Sequence, residues 1–277
     1  EGTLDFLRWT AADAPSEDYL ASAPISYPLI GVTQLLNVHA FACYDSASTE
    51  YSSSSSSSTT TFPRFRGATG HSQGVVSALA LAMSSTLTEF EQRAVDMSRV
   101  LFWTGARFQA ASDASFAPAT GAHSPMLVVR GLAPEELKPV LAALRQKLRA
   151  SGAFPLVSAR LALINGPTDC VVSGVPDVLS ILEKELMKKS AKPGENQSRV
   201  PFSKRKRLIT TSFLRTTCAF HNTDLNSDAA AAIKADASRL GVIVPAAALR
   251  MPVFDTETGE DLAASGAVDV IPRLIDM

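Results

Sequence analysis

Gly70-His71-Ser72-Gln73-Gly74 has the G-x-S-x-G form in which a serine stands at the apex of a tight turn leading into a helix. Ser72 is therefore the first candidate for a nucleophile. Glycines at 70 and 74 let the backbone turn sharply and pack closely, and Val75 to Met83 reads as the buried helix that follows. At such a helix start, backbone N–H groups and the dipole favour negative charge developing on a substrate oxygen. The same short pattern also arises in Gly- and Ser-containing loops, so its surroundings have to decide.

A serine hydroxyl is a weak nucleophile at neutral pH and needs a base within hydrogen-bonding reach, most often a histidine. The chain has four. His39 lies in the apolar stretch Leu35 to Phe41 and reads as a helix-face residue, while His123 sits in a Gly/Ala/Ser/Pro loop. His71 precedes the serine, so its side chain points away from its neighbour's. His221, in Cys218-Ala219-Phe220-His221-Asn222-Thr223, ends an apolar segment where small and polar residues open the chain toward a site. A lone histidine also has ordinary structural hydrogen-bonding roles, and residue types alone leave both readings open.

Six segments carry a resemblance: Pro24 to Leu35, Gly67 to Gly74, Leu163 to Pro167, Val171 to Gly174, Gln197 to Ser203 and Pro252 to Thr256. In order and spacing they resemble the acetyltransferase domain of the fungal fatty acid synthase beta subunit, over nearly the whole chain. That domain belongs to the acyl-CoA:acyl-carrier-protein transacylases, whose Ser-His pair moves an acyl group from coenzyme A to the phosphopantetheine arm of a carrier protein. The resemblance implies that Ser72 is acylated, that His221, which follows a Phe, is the base, and that turnover is a double displacement. It implies acetyl-CoA as substrate, no permanently bound cofactor, and an acyl carrier protein plus other synthase domains and subunits as partners in fatty acid biosynthesis.

The backbone N–H of Gln73, next after the nucleophile, is the natural oxyanion donor. The family's second donor comes from an N-terminal Gly-Gln-Gly segment that this sequence lacks, so the isolated chain is expected to be slow or unstable. Malonyl-accepting relatives place an arginine on the helix after the nucleophile, a fork that suits a carboxylate. Here Thr104 falls at that position, which implies an uncharged acyl group; Arg107, roughly 300° further around a helix, reads as a structural or surface contact. The family orients its histidine with a backbone carbonyl from the segment matching Pro252 to Thr256. Asp224 and Asp255 are the nearest carboxylates by sequence, and each reads as an ordinary solvated or turn-forming residue. Asn165 and Ser173-Gly174 are explained by turn formation. The basic run Lys204-Arg205-Lys206-Arg207 reads as a solvated loop, with CoA phosphates or an acidic carrier protein as the alternative.

These groups have to be positioned by a chain of 277 residues, enough for one large domain or a core with a smaller subdomain. An apolar fraction of 46% with mean hydropathy near zero fits a globular protein. No apolar run approaches the ~20 residues that span a bilayer, so no membrane role is expected. Twenty-six basic against 27 acidic residues leave no field that would draw the whole protein to nucleic acid. Cys43, Cys170 and Cys218 lack C-x-x-C spacing, which argues against a disulfide framework or zinc site and for reduced, cytoplasmic thiols. Glu1 to Asp5 lacks the layout of a signal peptide and an initiator Met, and the C-terminus stops before the family's final strands, as in a piece of a longer polypeptide.

The resemblance, joined to the order of the elements, implies a transacylase core of α/β class, similar to the α/β-hydrolases, interrupted by a ferredoxin-like subdomain. Residues 1–123 form the first part of the core, 124–212 the subdomain and 213–277 the return to the core. Leu4 to Trp9 reads as a helix end, Pro24 to Cys43 as a helix, 46–61 as a Ser-rich flexible loop, Phe65 to Thr69 as a strand and Leu87 to Ala111 as a helix. Strands at Met126 to Val129, Ala159 to Ile164 and Asp169 to Ser173, helices at Pro134 to Leu148 and Pro176 to Lys189, and a closing strand at Leu208 to Thr211 or Phe213-Leu214 give the split β-α-β-β-α-β order. An Ala-rich helix, Asp224 to Leu240, precedes strands near Val242 to Val244 and Met251 to Phe254. Two rivals share these features. An α/β-hydrolase esterase needs an acid between serine and histidine and a strongly apolar strand before the turn, of which Pro63 to Gly67 is a poor version. An inactive segment of a multienzyme fits the poly-Ser tract, but not an intact Ser72 and His221.

Overall fold

A computed structural model of the chain describes residues 15–52, 62–63, 65–116, 124–152, 158–192, 194 and 196–276. Leu4 to Trp9, His123 and residues 53–61 of the predicted Ser-rich loop lie outside them. The fold is mixed α/β, and its two sheets are built differently.

The short helix α1 (Glu17–Ala21) is capped by Ser16, whose Oγ accepts the Tyr19 N–H. It leads into α2 (Ala23–Ser52), which runs nine residues past the predicted Cys43, so residues 46–52 are helical and not loop. Only Ala68–Thr69 of the predicted Phe65 to Thr69 strand pairs, as β1, in parallel with β6 (Val253–Phe254). Next come α3 (Gly74–Ala82) and α4 (Leu87–Ser115), the latter capped by Thr86, whose Oγ1 accepts the Glu89 N–H. Of the nine residues of α3, all but Val76 are buried, which explains why its sequence is apolar all round. Together with α7 (Thr223–Arg239) and α8 (Ile271–Asp276), these helices enclose a core centred on Leu79, Phe90, Met97 and Val253.

The second sheet has four strands: β2 (Met126–Arg130), β3 (Ala159–Gly166), β4 (Asp169–Gly174) and β5 (Thr210–Phe213). Their spatial order is β3-β4-β2-β5, with every neighbour antiparallel, and β5 overlaps both candidates for the closing strand. Helices α5 (Pro134–Ser151) and α6 (Pro176–Lys189) both begin with proline at the first turn, where its missing N–H costs nothing. They cover one face of this sheet, packing Leu137, Leu141, Leu179 and Leu182 on Leu127, Val129 and Val172. The other face carries Met126, Val128 and Val171, which pack against Phe220.

Val242 to Val244 is not a strand. Val244 takes its hydrogen bonds from loop residues instead, donating to the Asp269 carboxylate and accepting from Val270 N–H at 2.9 Å. Apolar β-branched residues there satisfy the core, with Val244 fully buried, without a partner strand.

Candidate active site

Ser72 lies in the turn between β1 and α3, and its backbone sits in the left-handed region at φ 53°. Among the described residues that are not glycine, only His221 shares a positive φ, at 55°. Such conformations cost about 1–3 kcal/mol each and persist where the surroundings over-determine them. The two strained residues meet: Ser72 Oγ lies 2.8 Å from His221 Nε2, across 149 positions of sequence.

The serine turn is shaped by backbone packing. A Cβ on Gly70 would overlap the Gly74 carbonyl and the Val75 nitrogen, so no larger residue fits while the turn keeps this shape. Gly74 and Val75 N–H groups bond back to His71 and Ser72 carbonyls at 3.0 and 3.2 Å, which tightens the entry to α3. The Gln73 N–H lies next to Ser72 at the helix start, with no backbone partner among the described residues. Gln34, on α2, accepts the Ser77 hydroxyl at 2.7 Å and ties α2 to the first turns of α3.

The histidine arm is held differently. Residues 217–226 hang from three elements by polar side chains. Gln109 of α4 accepts from Thr217 Oγ1 at 2.6 Å, from Cys218 Sγ at 3.4 Å and from Ala23 N–H at 3.1 Å. Fully buried Ser112, also on α4, accepts the Ala219 N–H, and Asn226 of α7 donates to the Ala219 carbonyl at 2.6 Å. Asn222, adjacent to His221 and 1% exposed, donates to Ser173 O at 2.9 Å and to Ser158 Oγ at 3.0 Å, while its Oδ1 accepts Asp224 N–H and caps α7. The His221 segment is therefore anchored to the last turns of α4, to α7 and to the end of β4. Gln109, Ser112, Asn222 and Asn226 were not singled out from the sequence, because an isolated amide or hydroxyl in a helix carries no pattern.

The other sequence candidates fall into place. Asp224 forms a two-point pair with Arg160, which holds its carboxyl below the usual range, and buried Asp255 accepts the Glu257 and Thr258 N–H groups as a turn former. Neither stands as the acid of a serine–acid–histidine series. Arg107 is structural: its guanidinium bonds Asp236 of α7 at 2.6 and 3.2 Å, beneath Trp103, and so clamps α4 to α7. Thr104 is half-buried on the same helix, next to Gly105, where an added Cβ would lie 3.0 Å from Tyr27 Cβ of α2. His39 pairs with Glu91 at 2.9 Å on the helix surface. Within the basic run, Arg205 donates to Val200 O, Lys206 to Lys188 O and Arg207 to Glu136, so these residues tie their loop to itself and to α6 and α5. Burial pushes the Cys218 thiol up to about 11, and among the described residues no cluster of His, Cys, Asp and Glu could hold a metal ion. No described helix is long and apolar enough to cross a membrane.

Chemically, the arrangement offers a hydroxyl against an imidazole nitrogen, beside a backbone N–H at the start of a buried helix. Comparison with known proteins points the same way. The family model for starter unit:ACP transacylase in aflatoxin biosynthesis matches residues 9–207. The fatty acid synthase subunit beta of Schizosaccharomyces pombe is 34% identical over 94% of this chain and 12% of its own length. The fatty acid synthase beta subunit aflB of Emericella nidulans is 36% identical over 99% of this chain and 12% of its own. The chain thus spans about an eighth of the length of these curated relatives. Among solved structures, the malonyl-CoA:acyl carrier protein transacylase of Xanthomonas oryzae pv. oryzae superposes with a TM-score of 0.62 at 16% identity, over 97% of this chain and 65% of that one. A loading acyltransferase from the avermectin polyketide synthase gives 0.55 at 17% identity, over 96% and 63%. At these identities the likeness establishes the fold.

Proposed function

The chain belongs to the starter unit:ACP transacylase family, and from that premise we propose that it moves an uncharged acyl group, acetyl or a similar starter, from coenzyme A to a carrier-protein phosphopantetheine thiol. His221 Nε2 takes the Ser72 proton as Oγ attacks the thioester carbonyl carbon. The C–S bond then breaks, and the CoA sulfur leaves with the proton from His221. The incoming thiol gives its proton to His221 and attacks the acyl-serine, which returns Oγ to the free hydroxyl. The Gln73 N–H faces the oxygen that becomes negative in each half-reaction; loss of one such donor typically costs roughly 10²–10³ in rate.

The observation that carries this reading is the 2.8 Å contact between Ser72 Oγ and His221 Nε2 at the two left-handed residues. Thr104 in place of a guanidinium leaves nothing at that position to pair with a malonyl carboxylate. We read residues 124–212, with sheet order β3-β4-β2-β5 and two helices on one face, as a ferredoxin-like subdomain inserted into a transacylase core of residues 1–123 and 213–277. The Ser72–His221 contact lies near the junction, where Phe220 packs on the subdomain's open face. On this reading the domain works in fatty acid biosynthesis inside a larger cytoplasmic synthase, with acyl carrier protein and the other synthase domains as partners.

Radiolabelled acetyl-CoA, incubated with the full-length protein, should leave label on the peptide containing Ser72 and release CoA, and a thiol-bearing carrier protein should discharge it faster than water. Label elsewhere, or discharge by water alone, would overturn the proposal. Malonyl-CoA turned over as fast as acetyl-CoA would overturn the assignment of Thr104.

A further inference from the structure

A left-handed φ of 55° at His221 persists only where the surroundings over-determine it. On its N-terminal side, the Ala219 N–H and carbonyl are taken by Ser112 of α4 and Asn226 of α7. On its C-terminal side the hold comes from the four-stranded sheet. Asn222 meets the hydroxyl of Ser158, the residue before β3, which is fully buried. Ser158 Oγ accepts from Asn222 Nδ2 at 3.0 Å and has one proton of its own to give, with Asn222 Oδ1 at 3.2 Å and Asp224 Oδ2 at 3.4 Å within reach.

Ser158 has little room to move. Its carbonyl accepts the Val175 N–H at 3.1 Å, and a Cβ on Gly174 would overlap that carbonyl, so the chain entering β3 lies directly on the end of β4. Two residues further on, Arg160 makes a two-point pair with Asp224: Nε donates to Oδ2 at 2.6 Å, and a second guanidinium N–H donates to Oδ1. Such a fork fixes orientation as well as distance. Asp224 stands in the first turn of α7, where a negative charge also suits the helix dipole. Its Oδ2 lies within reach of both the Arg160 guanidinium and the Ser158 hydroxyl, so a continuous polar chain runs from Arg160 through Asp224 and Ser158 to Asn222, the residue after His221.

We infer that Ser158 and the Arg160–Asp224 pair are positioning residues for His221: together they latch Asn222 and the first turn of α7 to β3 and β4, and so hold the imidazole on Ser72 Oγ. None of the three touches the reacting atoms. Their work is done through the backbone on the C-terminal side of the histidine, where a relaxed φ would turn the ring away from the serine. Ser158 and Arg160 stand at the entrance to β3 and Asp224 on α7, so the small sheet sets the geometry of a pair that lies outside it. The benefit to acyl transfer rests on the function proposed above; the hold on His221 does not.

The test reads the Ser72–His221 pair through phenylmethylsulfonyl fluoride, which needs neither CoA nor a carrier protein, as the rate at which the Ser72 peptide of the full-length protein is sulfonylated. Ser158→Ala should slow labelling about fivefold, as expected for loss of one ordinary hydrogen bond. Arg160→Gln and Asp224→Asn, which break a half-exposed pair, should each slow it about threefold. Because the pair acts as one unit, the double variant should be no slower than either single one. Thermal midpoints of the same samples show that folded protein is being compared. Wild-type labelling rates in Ser158→Ala and Arg160→Gln, or falls that multiply in the double variant, would overturn the inference, whatever the change in stability. A wild type whose Ser72 is not labelled at all would overturn it too, since His221 would then not act on the hydroxyl. Acylation assays run alongside should show kcat reduced in the same ratios with KM for acyl-CoA unchanged. Failure of acetyl-CoA to acylate the wild type, with the sulfonylation ratios as expected, would refute only the transacylase reading.

Discussion

Residues 67–82, which carry Ser72, are held almost wholly by apolar burial and glycine sterics, whereas residues 217–226, which carry His221, hang from a web of buried amides and hydroxyls. On the serine side, Val75, Leu79 and Leu81 are buried, and full burial of such a side chain contributes roughly 1.5–3 kcal/mol. On the histidine side, Gln109, Ser112, Asn222 and Asn226 take up the backbone and side-chain groups of the arm. Apolar packing fixes a segment as a block and depends on volume. A hydrogen-bonded arm depends on each partner singly, because a buried polar group left unpaired costs about 1–3 kcal/mol. The Ser72 turn should therefore fail by overpacking and the His221 arm by loss of individual polar atoms.

The largest expected effect ignores this difference and sets the scale. Ser72→Ala should abolish acyl-enzyme formation and lower transfer by at least about 10³-fold, or ~4 kcal/mol, measured as label retained and as kcat. Gly70→Ala probes the steric side. With Gly74 and Val75 in the way, a loss of about 3 kcal/mol in urea-unfolding stability is expected. Unchanged stability there would mean that the serine turn is looser than its packing implies. Asn222→Ala probes the polar side by stranding the Ser173 carbonyl and uncapping α7. It should cost about 2 kcal/mol and lower kcat about tenfold as His221 drifts, with acyl-CoA KM unchanged. If Asn222→Ala is silent while Gly70→Ala is severe, both sides rest on packing and the contrast disappears.

The smallest effect concerns the clamp behind the arm. Hydrogen bonding from Arg107, helped by Arg239, holds the Asp236 carboxyl below its ordinary value. A carboxyl depressed in the folded state stabilises fully above its unfolded pKa, about 3.9, and loses that contribution as pH falls through the lower folded value. Asp236→Asn should therefore cost about 1 kcal/mol at neutral pH and flatten the fall in stability below about pH 4, followed by circular dichroism during acid titration.

The two sides also differ in how legible they are. The serine turn could be read because its determinants are local: a G-x-S-x-G pattern, then nine residues too apolar to face water. The helices α5 and α6 were legible for the same reason, with proline at the first turn and leucines at helical spacing, and α6 begins and ends where the pattern places it. The strand before the turn was overestimated, since Phe65 to Gly67 is irregular chain with a bend at Arg66 and no partner strand among the described residues. Val242 to Val244 misled in the same way, because β-branched residues suit any buried extended segment, paired or not.

By itself the sequence singled out the serine turn, the number and type of most elements, and, through likeness to known domains, the histidine that meets it. Local residue types carry turn geometry and helical burial, so those conclusions need no partner from far along the chain. Only the tertiary structure decided that Ser72 and His221 share one point, that Asp224 and Asp255 are engaged elsewhere, and that Gln109, Ser112 and Asn222 hold the segment around His221. Each of those contacts spans dozens of residues and uses side chains that are unremarkable alone, so it exists only once the helices and the small sheet have packed.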